Sequence, residues 1–172
     1  DGIDGLAGSY TIATSILFGI SFFRLGPAND PLVILCAIII AALFAFLFYN
    51  LSNKRNAKIF MGDTGSMILG FLLAFTGISF IEIFIQKRDE VFYHLQSAPV
   101  IAVAILILPI IDTLMVIITR IYHGKSILSP DKNHIHHKLL NLGLTHRRST
   151  AYIIGYYLII IAVAYSLRHL NV

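Results

Sequence analysis

Five apolar stretches, each close to twenty residues long, constrain this chain more than any other feature. They run Leu6–Leu25, Pro31–Asn50, Ser66–Ile85, Pro99–Tyr122 and Ala151–Leu167. About 20 helical residues cross the hydrocarbon core of a bilayer. Inside lipid every backbone N–H and C=O must be satisfied by the segment itself, so such stretches are helices and not open strands. The expected fold is therefore all-α: one domain over residues 1–172, a polytopic transmembrane bundle of about five helices with loops forming a site. Only 13% of residues are charged and mean hydropathy is +0.80, which excludes an ordinary soluble domain. The single cysteine, Cys36, excludes an internal disulfide framework and a thiolate zinc cage.

Gly26-Pro27 and Asp30-Pro31 mark a tight connection between the first two stretches, and the polar run Gln86–Ser97 marks another. Five crossings place the segments 1–5, 51–65 and 123–150 on one face. Nine of the thirteen Lys and Arg residues fall on that face, counting Arg120 at a helix end, and four on the other. By the positive-inside rule the first face is cytoplasmic. The chain opens on polar DGIDG with no basic segment ahead of an apolar one, so no cleavable signal peptide is expected. It reads as part of a longer protein, starting inside a motif.

The polar residues are not scattered. They gather in three clusters, all assigned to the same face. In DGIDGL, Asp1 and Asp4 are three apart and share a face if a helix starts there. Helix capping explains them, because the helix dipole favours negative charge at that end. So does a carboxylate pair for Mg2+ or for a nucleophile. In FMGDTGS, Asp63 precedes a membrane helix, where an N-cap Asp is common. Its small, Gly-flanked surroundings also suit a phosphate–Mg2+ complex, since Mg2+ takes a few carboxylates plus phosphate oxygens. The spacing is not that of a P-loop.

The third cluster is SPDKNHIHHKLLNLG, with His134, His136 and His137 close together. Zinc is one reading, but the spacing fits neither HExxH nor a zinc finger. Histidines beside Lys138, Arg147 and Arg148 suit a multiply charged phosphate. A merely basic juxtamembrane loop is the plain alternative. Leu139, Leu140, Leu142 and Leu144 then alternate with polar residues, as in a short interfacial amphipathic helix. One ionisable residue stands apart: Asp112, in the middle of the fourth stretch. A carboxylate at that depth faces the bundle interior, as a proton relay or as a structural hydrogen-bonding group. Pro109 is placed to kink the helix just before it.

DGIDGLAG at Asp1–Gly8, AKIFMGDTGS at Ala57–Ser66 and SPDKNHIHHKLL at Ser129–Leu140 together resemble the polyprenyl-phosphate N-acetylhexosamine-1-phosphate transferases, glycosyltransferase family 4. This family includes the enzymes that start enterobacterial common antigen, O-antigen and wall teichoic acid synthesis. It also includes the peptidoglycan translocase that makes lipid I. The resemblance covers essentially the whole chain, and the H-I-H-H form is similar to the UDP-GlcNAc branch. It implies transfer of HexNAc-1-phosphate, most simply GlcNAc-1-phosphate, from a UDP-sugar to polyprenyl (undecaprenyl) phosphate with release of UMP, initiating cell-envelope polysaccharide synthesis. Transfer of phospho-N-acetylmuramoyl-pentapeptide is the alternative within the family.

The resemblance also implies site residues and surroundings. Asp63 is expected as metal ligand and Asp1, Asp4 and Asp63 as the catalytic carboxylates. Asn50, Phe60, His134, His136, His137 and Arg147 are expected to bind substrate, with Phe60 stacking on uracil. The expected cofactor is Mg2+, with Mn2+ as the other candidate ion. The expected partners are the UDP-HexNAc and polyprenyl phosphate substrates and membrane lipid; a homodimer stays open and no nucleic acid is expected. The expected location is the bacterial inner membrane, multi-pass, with the active site on the cytoplasmic face. The family's earlier Asp-Asp motif, a lysine, an Asn before the first Asp and several helices have no match here. The chain therefore looks like the C-terminal half of such an enzyme, expected to be inactive alone. From other classes, a transporter would want polar residues along the midplane of several helices. A membrane metalloprotease would want zinc spacing on a helix, and a plain anchor needs no motifs.

Overall fold

The computed structural model describes residues 3–52, 58–86, 98–124, 126 and 134–166. Among these it is helical throughout, with no strand. Helix α1 spans Leu6–Arg24 and α2 spans Asp30–Asn50, joined by a 3-10 turn at Pro27–Asn29. Helix α3 spans Gly62–Gln86, α4 Ala98–Ile105, α5 Ile107–Tyr122, α6 Ile135–Asn141 and α7 His146–Ser166. Helices α1, α2, α3 and α7 are each long and apolar enough to cross a membrane.

Helix α1 is the hub, packing on α2, α3 and α7. Its buried face is small and polar, with Gly8, Thr11, Thr14 and Ser15, which lets neighbouring backbones approach as membrane helices do. Phe18 and Phe22 of α1 meet Phe80 and Phe84 of α3 in an aromatic core, with the Phe18 and Phe80 centroids 5.6 Å apart. Helix α2 turns Ile34, Ile38, Phe44 and Phe48 outward. A wholly apolar exposed face belongs to a helix whose solvent is lipid. The protein is a multi-pass membrane protein.

The fourth stretch departs from a continuous span. It is two helices, α4 and α5, bent by 73° at Leu106. Pro109 accounts for the position. Proline has no N–H to offer the carbonyl four residues back, and its ring clashes with that carbonyl. That residue is Ile105, the last of α4. Its carbonyl accepts hydrogen bonds from Tyr157 Oη at 2.9 Å and Tyr10 Oη at 3.1 Å. Tyr157 Oη also lies 3.0 Å from Thr14 Oγ1. A helix broken at membrane depth survives where its freed backbone groups find protein partners, and α1 and α7 supply them.

Contacts between helix ends show which way the bent pair runs. Thr150, near the start of α7, donates to the carbonyl of Asp4, just ahead of α1. Arg147 donates to the carbonyl of Leu51, just after α2. The starts of α1 and α7 and the end of α2 thus share one end of the bundle. Helix α3 leaves that end, so α4 and α5 together must bring the chain back. Counting the bent pair as one span gives up to five crossings, and α7 begins five residues before the stretch read from hydropathy.

Candidate active site

The chain enters α1 through a turn that closes on Gly5, at φ 78°. That left-handed conformation is open to glycine and strained for residues with a Cβ. Gly5 occupies the N-cap position and caps nothing with a side chain. Its own N–H donates to Asn50 Oδ1 at 2.7 Å, and Asn50 Nδ2 donates to the carbonyl of Ile59 at 2.8 Å. Asn50 is only 3% exposed. A buried amide is tolerated when both its halves are paired. Here the pairing ties three segments together: the turn before α1, the end of α2 and the approach to α3.

Asp4 lies in that turn, ahead of α1, so it is not the residue that caps the helix. Its carboxylate meets Lys58 Nζ at 2.5 Å, with side-chain exposures of 17% for Asp4 and 27% for Lys58. The same ammonium sits 5.5 Å from the ring centroid of Phe60, a cation–π distance. Phe60 itself is 71% exposed. Asp4, Lys58 and Phe60 therefore form one connected group, reinforced from α7 by the Thr150 and Arg147 contacts described above.

Asp63 sits inside the first turn of α3, following Gly62 at φ 69°. It is exposed, and its carbonyl accepts from Ser66 Oγ at 3.0 Å. Among the described residues its carboxylate has no partner. A carboxylate left open beside the unpaired N–H groups of a helix start is placed to share a cation with an incoming anion. Among the described residues no group of three His, Cys, Asp or Glu side chains could hold a metal by itself. Asp63 is a single hard oxygen donor of the kind Mg2+ takes alongside phosphate oxygens.

The histidine segment is attached elsewhere. His134 is the N-cap of α6 and caps nothing with its own side chain. Asp112 of α5 does so instead: Oδ1 accepts from the N–H of Ile135 at 2.9 Å, and Oδ2 lies 2.8 Å from His134 Nδ1. Of the two readings of Asp112, the structure shows the hydrogen-bonding one.

A cavity of about 380 Å3 links the clusters. Leu6, Ala7 and Tyr10 line it from α1, Ser66 and Leu69 from α3, Pro109 and Asp112 from α5, Ile135 from α6 and Ile153 from α7. The three motifs thus border one space at one end of the bundle. It is mostly apolar, with Tyr10, Thr11, Ser66 and Asp112 as polar points.

Of the expected site residues, the structure brings Asp4, Asn50 and Phe60 into the corner at the start of α1. Asp63 is at the start of α3, and Arg147 reaches the corner from α7. Asp1 and the side chains of His136 and His137 lie outside the described residues. Lys58 was legible only as one more positive charge, although it stands inside AKIFMGDTGS between the motif's other residues. The hydroxyl of Thr150 carried no signal, because its partner is 146 residues away.

Residues 1–81 match the family model described as glycosyl transferase family 4. The chain is 38% identical over 165 residues to a Bacillus subtilis (strain 168) protein named "Probable undecaprenyl-phosphate N-acetylglucosaminyl 1-phosphate transferase", covering 95% of this chain and 42% of that one. It is 35% identical to the decaprenyl-phosphate N-acetylglucosaminephosphotransferase of Mycolicibacterium smegmatis, covering 87% and 38%. It is 32% identical to the undecaprenyl-phosphate alpha-N-acetylglucosaminyl 1-phosphate transferase of Escherichia coli K12, again covering 87% and 38%. The chain spans about two fifths of the length of these curated relatives. No solved structure matches it.

Proposed function

The chain belongs to glycosyl transferase family 4, and on that premise we propose that it forms part of an enzyme transferring GlcNAc-1-phosphate from UDP-GlcNAc to polyprenyl phosphate. A phosphate oxygen of the acceptor attacks the β-phosphorus of the donor. The bond from that phosphorus to the bridging oxygen breaks, and UMP leaves with the bond's electron pair. The product is polyprenyl-diphospho-GlcNAc. The observation that carries this reading is the convergence of the three motifs around one cavity at one end of a membrane bundle. A lipid phosphate and a nucleotide sugar meet at such a boundary.

In phosphoryl transfer the protein's work is positioning and charge stabilisation. Asp63 would hold Mg2+, or Mn2+, together with diphosphate oxygens, and the ion would neutralise charge on the diphosphate. Phe60 offers an exposed ring for the uracil, and Lys58 holds that ring against Asp4. His134, His136 and His137 with Arg147 supply donors to the phosphates. Nine of thirteen Lys and Arg residues on the site's face support a cytoplasmic site in the bacterial inner membrane. The chain spans about two fifths of the length of its relatives, so this reading is of the longer protein, and the 172 residues alone are expected not to turn over.

The test is an assay of the full-length protein in membranes, with undecaprenyl phosphate and a panel of UDP-sugars. UMP release that depends on the lipid phosphate and on Mg2+, with UDP-GlcNAc preferred, is the expected result. Absence of transfer from every UDP-sugar would end this reading. Robust transfer by the purified 172-residue chain would show instead that the catalytic core lies entirely within it.

A further inference from the structure

Nothing in α6 itself explains why it starts where it does. It is seven residues long, too short to be stable in isolation, and its N-cap residue makes no side-chain cap. The carboxylate that performs this task comes from another helix, 22 and 23 residues earlier in sequence. Asp112 divides its two oxygens between the first N–H of α6 and the imidazole of His134. A carboxylate on a membrane helix is costly unless its lone pairs are used. Asp112 is part-buried, with its side chain 27% exposed, and both its oxygens are used.

We infer that Asp112 is the positioning residue of the histidine segment. By accepting from Ile135 N–H it fixes where α6 begins. By pairing with Nδ1 it holds the ring plane of His134. Asp112 acts through His134 and through the helix it starts. This rests on the reading that the histidine segment serves phosphoryl transfer. The attachment itself has a readout that does not depend on catalysis.

Two measurements on the full-length protein in detergent test it. The first is hydrogen exchange of the peptide spanning residues 134–141 in Asp112→Ala and Asp112→Asn. Exchange should quicken there in Asp112→Ala and less in Asp112→Asn, which keeps one acceptor, while peptides from α1, α2 and α3 stay as in the wild type. Unchanged exchange at 134–141 overturns the proposal, whatever the activity.

The second is a double-mutant cycle on UMP release with His134→Ala. Asp112→Ala and His134→Ala should each lower kcat by about 10²-fold, with the KM for UDP-GlcNAc changed far less. The double variant should fall little further, because the two residues act as a unit. Additive losses, or normal kcat in Asp112→Asn and Asp112→Ala, overturn it. If exchange changes as expected while the wild type transfers no sugar phosphate, the attachment stands and the transferase reading fails.

Discussion

The corner at the start of α1 and the histidine segment are both assembled from distant pieces of chain, but they are held in different ways. The corner is stitched from four segments. Asn50 ties the turn before α1 to the approach to α3, Lys58 ties Asp4 to the same approach, and Thr150 and Arg147 reach in from α7. No one of these contacts carries the geometry alone. Among the described residues, the start of the histidine segment is tied to α5 by the Asp112 carboxylate, and its helix α6 packs on α7. The corner is preformed by the fold, so damage to its staples should appear as lost stability. The segment is docked on the fold, so damage to its anchor should appear as lost rate.

Asp63 provides the largest expected effect. It stands beside the corner yet takes no part in its stitching, and among the described residues nothing depends on its carboxylate. Asp63→Asn keeps the size of the side chain and removes the charge. UMP release should fall by about 10²–10³-fold, the scale for losing one electrostatic contact to a transition state. Melting in detergent should not move. A melting shift would place Asp63 among the staples; normal turnover would remove it from the metal-binding role.

Asn50 is the opposite case. Asn50→Leu strands the N–H of Gly5 and the carbonyl of Ile59 at a buried site. Leaving a buried polar group unpaired costs about 1–3 kcal/mol, so the protein should melt several degrees lower, with activity falling alongside. Asp112→Ala should leave the melting temperature almost unmoved while the rate falls. If instead Asn50→Leu melts normally and raises only the KM for UDP-GlcNAc, then the corner is not preformed and Asn50 acts on the nucleotide directly.

Phe60 sharpens the picture from within the corner. It is the group's most exposed member, and Lys58 is stacked over it. Stacking of a base on an aromatic ring is worth roughly 1–3 kcal/mol. Phe60→Leu should therefore raise the KM for the UDP-sugar about tenfold and leave kcat and melting near normal. A fall in kcat without a change in KM would mean that the ring supports Lys58 and Asp4 and does not bind the base.

The same contrast explains what could be read from the sequence. Length and hydropathy located the spans, because a helix in lipid announces itself over twenty consecutive residues. The break at Leu106 was partly legible: Pro109 gave its cause, but the bend of 73° depends on tyrosines from α1 and α7 taking the Ile105 carbonyl. The start of α7 was misplaced because His146 to Thr150 are polar, and polarity alone does not separate a helical turn from a loop. The motifs announced Asp4, Asp63 and the histidines by their residue types. Of the staples, Asn50 and Arg147 were legible only as substrate-binding residues, and Lys58 and Thr150 not as site residues at all, because a hydrogen bond such as Asn50 to Gly5 spans 45 residues and leaves no local pattern. Asp112 was conspicuous as a lone carboxylate in an apolar helix, yet its partner had to come from the fold.

The smallest effect expected lies where the two regions are joined mechanically. Helix α5 carries Asp112, and its direction is set at the break, where Tyr10 and Tyr157 share the Ile105 carbonyl. Tyr157→Phe removes one of these donors and the contact with Thr14 but keeps the ring packed edge-on against Tyr10. Since Tyr10 still satisfies the carbonyl, the loss should be about 0.5–1.5 kcal/mol, the usual net worth of one hydrogen bond. The consequence should be unequal. The corner has its own staples and should hold the UDP-sugar with unchanged KM. The histidine segment takes its Asp112 anchor from α5 and should lose a few-fold in kcat as that helix gains freedom to tilt. Equal losses in both parameters would mean that the corner and the segment move as one body, and the distinction between a stitched region and a docked one would have to be given up.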